Sequence, residues 1–237
     1  MKYGSRLVGI SATTLLLMLV AHLTGCAGGG PSELALRPTA KPLRLDATIK
    51  SPGDLPLNLF SSPSQENPGP GGKADARAES KPSGDAIAIA DVESGGGATA
   101  SFQIGSAFVN DSDQQVDVTI SAKYRYEFAL QTNAKTRTGD ATVTLHFYAR
   151  DQYNRLLRDL PLFTQSTDQG SGGQSGENTI NLTLTIGPHD SLYLFFGGSV
   201  AVDTLKSART AHGELKLSGV ELTLTTKAAP AVKAAAP

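Results

Sequence analysis

The stretch "QVDVTISAKYRYEFAL", residues 115–130, decides the fold class because its apolar and polar residues alternate. Every second residue from Val116 to Leu130 is apolar or aromatic, and the residues between them are mostly charged or hydroxylated. Successive side chains of a β-strand point to opposite faces, so this pattern predicts a strand with one buried and one solvated face. Because strands rarely run this long without interruption, we expect a bend or bulge near Lys123.

The same alternation recurs in the segments 140–150, 178–186, 192–196 and 212–226. Gly197 and Gly198 follow one of these segments and precede "SVAVDTL", which predicts a two-residue hairpin turn. Within "HGELKLSGVELTLTT" the apolar residues change phase after Leu217, which predicts a β-bulge at Ser218–Gly219. The glycine-rich stretch 166–178 reads as a long flexible connection.

These segments, together with the absence of a sustained helical period, predict an all-β domain over residues 98–226. About eight antiparallel strands with polar turns are typical of a two-sheet β-sandwich, either jelly-roll or immunoglobulin-like. The chain has no Trp and one Cys, which argues against a true immunoglobulin domain.

Composition divides the rest of the chain. Residues 26–97 are rich in Pro and Gly, and we expect a mostly disordered tether there. Two of its segments, 43–49 and 55–60, are apolar enough to dock on the sandwich as an edge strand, and this alternative stays open. The Ala/Pro-rich tail 227–237 is also predicted to be disordered.

The N-terminus carries the features of a secretion signal. Lys2 and Arg6 precede an apolar run that ends in "LTGC", residues 23–26, and Cys26 is the only cysteine. "LTGC" resembles the lipobox of bacterial lipoproteins, in which an aliphatic residue, a small residue and Gly or Ala precede the cysteine. The resemblance implies that residues 1–25 are a signal peptide and that the Cys26 thiol is joined to diacylglycerol, usually with a third acyl chain such as palmitate.

The same resemblance implies a location. Ala27, rather than Asp, follows Cys26, which is similar to the pattern that sends lipoproteins to the outer membrane. We therefore expect a cell-envelope protein anchored in the lipid bilayer of the outer membrane, with the periplasmic and surface faces both open. The formal net charge of −1 becomes about −3 without Lys2 and Arg6, so no positive excess points to nucleic acid.

Few residues form a motif that carries chemistry. The chain has no nucleophile elbow, phosphate loop or zinc-ligand spacing, so we expect no enzyme activity; a hydrolase with paired carboxylates is the less favoured alternative. Asn110, Asp111 and Asp113 could contribute to a calcium site, with Asp151 and Asp203 as distant donors. The simpler interpretation of residues 110–115 is a turn whose side chains bond to nearby backbone.

An aromatic and cationic group, formed by Tyr148, Arg150, Tyr153 and Arg155, is the candidate ligand site. The alternative for Tyr148 is a cross-strand pair on a half-exposed sheet face. Together these features predict a tethered, non-catalytic sandwich that binds an envelope or surface protein. A carbohydrate-binding module, Ca-dependent if the acidic turn is a site, is the alternative.

Overall fold

A computed structural model describes residues 40–134, 140–204 and 209–229, which form two sheets packed as a sandwich. Within these ranges there are thirteen strands, one 3₁₀ turn (Thr167–Gln169) and no helix long and apolar enough to cross a membrane. The strands are β1 (Lys41–Leu43), β2 (Thr48–Ser51), β3 (Leu59–Ser61), β4 (Ser64–Pro68), β5 (Lys73–Ser80), β6 (Ala86–Glu93), β7 (Gly96–Asn110), β8 (Val116–Thr132), β9 (Ala141–Asp151), β10 (Leu156–Ser166), β11 (Gly172–Ile186), β12 (Ser191–Asp203) and β13 (Ala211–Ala228). The predicted antiparallel two-sheet sandwich is therefore confirmed.

The first sheet has seven strands in the order β1-β7-β12-β9-β10, and β3 and β4 also pair with β7. All its pairs are antiparallel except β1 with β7. The second sheet has six strands in the order β11-β8-β13-β6-β5, and β2 also pairs with β13. Strand β10 is at one end of the strand order of the seven-stranded sheet, and the next strand in the chain, β11, is at one end of the order of the six-stranded sheet.

The core lies between the two sheets because the apolar half of each alternating strand faces inward. Along β8, Val118, Ile120 and Ala122 are fully buried, as the opening stretch predicts. Phenylalanine and leucine of the seven-stranded sheet fill the opposite wall. Its largest fully buried side chains include Phe102, Phe108, Phe147, Phe196, Leu145, Leu192 and Leu194.

The folded domain begins earlier than predicted. Strands β1 to β6 lie within residues 41–93, so the expected tether over 26–97 is wrong for that part of the chain, and segments of 43–60 do dock. Ala88 and Ala90 of β6 are fully buried. Alanine is depleted in strands and is common in low-complexity tethers, so the alternation of Ala and Ile in "AIAIADVE" (residues 86–93) gives only a weak strand signal. At the other end, β13 continues to Ala228, two residues beyond the predicted boundary.

Two glycine-rich stretches are strands rather than connections. Gly197 and Gly198 lie in the middle of β12, so the predicted hairpin turn is wrong. A Cβ on Gly198 would lie 2.3 Å from the Phe102 ring, and the glycine is required by core packing. Most of the predicted loop 166–178 belongs to β11, where Gly172, Gly173 and Gly176 pair with β8.

The predicted bulge in β13 is confirmed. The register of β13 against β8 shifts between Ser218 and Glu221, and Gly219 has a φ of 59°. Leu217 and Val220 are consequently both buried despite their different parity. The irregularity expected near Lys123 of β8 thus lies on its partner strand, opposite Lys123 and Arg125.

Candidate functional site on the outer face of the seven-stranded sheet

Alternation along β9 and β12 places aromatic and cationic side chains on the outer face of the seven-stranded sheet. In β9, His146, Tyr148 and Arg150 are half-buried and alternate with buried residues of the inner face. The register pairs Tyr148 with Phe195 and Arg150 with Tyr193 of β12. Because cross-strand partners lie on the same face, these five side chains form one cluster.

The rings of this cluster contact one another and a guanidinium group. The ring of Tyr148 is parallel to that of His146, with 5.4 Å between centroids, and 5.2 Å from that of Phe195. The Arg150 guanidinium carbon lies 5.9 Å from the Tyr148 centroid and 5.7 Å from that of Phe195, within the range of cation–π attraction. A Cβ on Gly197 would lie 2.8 Å from the Tyr148 ring, so this glycine makes room for it.

The surroundings of Tyr148 raise the pKa of its hydroxyl, which is protonated at neutral pH. Burial raises its pKa, the negative charge of Asp159 raises it further, and Arg150 opposes the shift. Asp159 also lies 2.9 Å from Nδ1 of His146, measured from its Oδ1 atom. A protonated phenol can donate a hydrogen bond.

Arg150 is held by a single hydrogen bond. One terminal nitrogen, Nη1, donates to Oδ1 of Asn154 over 2.7 Å, whereas the buried Nε has no partner among the described residues. The side chain borders a cavity of about 340 Å³ on the same face. Its lining comprises Leu59, Phe60, Gln103, Arg150, Asn154, Tyr193 and Phe195.

Next to this cavity, Asp151 fixes the turn between β9 and β10. Its Oδ1 accepts the backbone N–H groups of Tyr153 and Arg155 over 2.9 and 2.8 Å, and Oδ2 accepts from Nε of Arg155. Burial acts to raise the Asp151 pKa, but the hydrogen bonds from Arg155 and Tyr153 and the charge of Arg155 outweigh it, and the pKa lies below its ordinary value. The Arg155 guanidinium carbon lies 5.2 Å from the Tyr153 ring centroid.

Three large apolar side chains at this turn are exposed, namely Tyr153 (70%), Leu156 (52%) and Leu157 (43%), and we call them the hairpin patch. The register of β10 against β9 shifts between Leu156 and Arg158, which leaves Leu157 unpaired. Bulges of this kind re-aim side chains. Single exposed apolar residues are common on any protein, but three within five residues are a local concentration.

The four residues predicted as a ligand site therefore fall into two adjoining pairs. Tyr148 and Arg150 lie beside the cavity on the sheet face, and Tyr153 and Arg155 lie in the turn. Phe195, Asn154, Leu156 and Leu157 are not among the residues that the sequence predicts for the site. Phe195 could have been found from its parity in "LYLFF", because it alternates with the buried Leu194 and Phe196.

The acidic turn after β7 is organised by Asn110. This fully buried side chain donates to the carbonyls of Gln114 and Gly187, and its Oδ1 accepts from the N–H and hydroxyl groups of Ser112. Both lone pairs of the oxygen are thereby occupied, as in the simpler turn interpretation. The distance between Oδ1 of Asp113 and Nε2 of His189 is 3.0 Å.

The distant donors considered for calcium lie elsewhere in the fold. Asp151 is engaged with Arg155 as described, and Asp203 ends β12. Within the described ranges, no three His, Cys, Asp or Glu side chains are grouped so that they could hold a metal ion.

A larger groove of about 640 Å³ lies on the six-stranded sheet. It is lined by Glu79, Lys81, Asp85, Ala86, Ile87, Arg125, Tyr126, Glu127, Ser175, Gly176, Glu177, Lys216, Leu217 and Ser218. Its cations are paired within the chain: Lys81 with Glu79 at 3.4 Å, Arg125 with Glu177 at 2.7 Å and Lys216 with Glu214 at 3.0 Å. The groove therefore offers no uncompensated charge from these three side chains.

Comparisons with known proteins place the chain in no family. No protein-family model and no curated protein matches it. Among solved structures, it is similar to an arabinose-bound α-L-arabinofuranosidase (14% identity, 68% of this chain, 23% of that chain, TM-score 0.26). It is also similar to a structure of infectious bursal disease virus, Gt strain (9% identity, 87% of this chain, 47% of that chain, TM-score 0.21). A third similar structure is a family 11 carbohydrate-binding module from Clostridium thermocellum (11% identity, 68% of this chain, 88% of that chain, TM-score 0.14).

The chain spans less than half of the length of the first two of these structures. With TM-scores far below 0.5, none of the three carries an argument about function. The class that the fold itself defines is an all-β, two-sheet sandwich protein.

Proposed function

We propose that this chain is a membrane-anchored lipoprotein whose non-catalytic β-sandwich binds a protein of the cell envelope through the hairpin patch. The observation that carries the proposal is the exposure of Tyr153, Leu156 and Leu157 on one hairpin at the edge of a sheet. Interfaces are enriched in aromatic residues and arginine and concentrate their binding energy in a few such side chains.

The neighbourhood of the patch supports this role. Arg155 lies over the Tyr153 ring while its guanidinium is tied to Asp151, so both side chains are ordered before a partner arrives. An ordered side chain loses less conformational entropy on binding than a free one. Strand β10 also ends the order of its sheet, so a partner can approach the patch from the side.

The anchor in this proposal is Cys26, which lies outside the described residues, as do the signal peptide 1–25 and the tail 230–237. Two or more acyl chains on Cys26 would hold the protein durably, because each buried methylene contributes about 0.8 kcal/mol. A sandwich held in this way would meet envelope proteins at high local concentration.

Photo-cross-linking in intact cells tests the binding face. The full-length chain would carry a benzophenone amino acid in place of Tyr153 or, as a control, in place of Thr179, which is exposed on β11 of the other sheet. We expect one dominant cross-linked envelope protein from position 153 and none from position 179. The same adduct from both positions, or none from 153, would contradict the proposal.

A second comparison separates the patch from the anchor. The double substitution Leu156→Ser with Leu157→Ser should abolish the adduct formed from position 153 while leaving the protein folded and membrane-bound. Leu45→Ser, at another exposed leucine, should leave the adduct unchanged. Cys26→Ala should release the protein from the membrane fraction, and its retention there would count against the lipid anchor.

A further inference from the structure

We infer that the cavity beside Arg150 binds the uronate residue of an acidic saccharide. This inference goes beyond the proposed protein-binding role and does not depend on it. The guanidinium of Arg150 carries a positive charge, and the side chain is half-buried. No carboxylate of the described residues forms an ion pair with it, in contrast to Arg155 and Arg209. Arginine partly withdrawn from water is normally paired with an anion.

A second arginine provides the contrast. Arg150 and Arg209 are the two described arginines that are half-buried, and Arg209 has the carboxylate of Asp140 at 3.1 Å. Arg150 has only the neutral amide oxygen of Asn154, and its Nε is buried without a hydrogen-bond partner. The charge of Arg209 is therefore paired with a carboxylate, whereas the charge of Arg150 has no anion beside it among the described residues.

The position of Arg150 relative to the cavity indicates where that anion would lie. The side chain lines the 340 Å³ cavity, which is within the range of about 300–1,000 Å³ found for ligand pockets. Its planar group is oriented by Asn154 and by the rings of Tyr148 and Phe195. Because the Arg150 Nε is buried, a carboxylate in the cavity would be bound by the terminal nitrogens Nη1 and Nη2, which can donate two parallel hydrogen bonds.

The remaining lining favours a sugar over a simple carboxylate. Gln103 and Tyr193 line the cavity, and neither side chain makes a hydrogen bond within the described residues, so the amide and the phenol can bond to hydroxyl groups of a ligand. The ring of Phe60, 41% exposed, forms part of the wall and offers an apolar surface for the C–H face of a sugar ring. A carboxylate, several hydroxyls and an apolar face occur together in a uronate.

Calorimetry on the purified full-length chain in detergent tests the inference. The probes are tetramers of galacturonate, mannuronate and guluronate, with the methyl-esterified galacturonate tetramer as the uncharged counterpart. We expect saturable binding of at least one acid tetramer. If galacturonate is the one bound, its ester should bind at least about tenfold more weakly, because a hydrogen bond to a charged group is lost.

Variants assign the binding to the cavity. Arg150→Gln should weaken the binding of the acid tetramer by about 10-fold or more. Arg77→Gln, the same change at an exposed position of β5 in the other sheet, should leave the affinity unchanged. Because Arg150→Gln could also disturb the fold, Gln103→Met provides a milder test in which an exposed amide is removed and affinity should fall. Failure of all three acid tetramers to bind, or equal affinity of wild type and both cavity variants, would overturn the inference.

Discussion

At the scale of single residues, Asp151 connects the candidate site to stability. Its carboxylate satisfies two backbone N–H groups of the turn and the Arg155 side chain, and these contacts lower its pKa in the folded state. A carboxyl group with a lowered folded pKa stabilises the protein above its unfolded pKa, about 3.9, and loses that contribution as the pH falls through the folded value.

We therefore expect Asp151→Asn to lower the free energy of unfolding at pH 7, and the difference from wild type to shrink as the pH is lowered below about 4. Urea unfolding at a series of pH values measures this. Asp168→Asn, at an exposed position after β10, is the control and should show a smaller effect. A difference for Asp151→Asn that stayed constant from pH 7 to pH 3 would refute the ionic origin of the contribution.

At the scale of elements, β12 depends on a glycine in its centre. A Cβ on Gly198 would lie 2.3 Å from the Phe102 ring and 2.8 Å from a methyl group of Leu215, and both neighbours are core residues. Gly198→Ala should lower the free energy of unfolding by about 1–3 kcal/mol through overpacking, although alanine alone is a better strand former than glycine. Gly172→Ala on β11, where no atom lies within 4 Å, should be nearly neutral in the same urea experiment. An equal cost for both would mean that packing is not the reason for Gly198.

The elements also differ in how far their sequences predicted them. The β13 bulge was predictable because the change of parity between Leu217 and Val220 can be read locally and Gly219 supplies the positive φ. Gly197–Gly198 carries an equally strong local signal for a turn, yet both residues pair with β7 and β9 as part of a strand. The rings of Tyr148 and Phe102, which come from those strands, occupy the space that a Cβ would need. The cluster around Tyr148 was found in part, since β9 alternates clearly. Phe195 can be recognised from its parity in β12, but its place beside Tyr148 depends on the register between β9 and β12. Asn154 lies in the turn after β9, where alternation gives no signal.

At the scale of the whole molecule, residues 41–97 are part of the sandwich rather than a tether. Strand β6 pairs with residues 211–217 of β13, and β2 pairs with residues 222–225, so one edge of β13 is covered by this region along most of its length. Leu43, Leu57 and Val92 belong to the same region, and their side chains are buried in the core. Each buried side chain of this kind contributes about 1.5–3 kcal/mol, and domains are stable by only about 5–15 kcal/mol in all.

Deleting residues 41–97 from the full chain should therefore abolish cooperative unfolding, because it exposes one edge of β13 and opens the core between the sheets. Far-UV circular dichroism during thermal unfolding measures this directly. Deleting residues 230–237, the part of the Ala/Pro tail beyond β13, is the control and should leave the midpoint within about 2 °C. If the variant without residues 41–97 still unfolded in one sharp transition near the wild-type midpoint, the sandwich would be stable from residue 98 onward, and strands β1 to β6 would not be needed for its core.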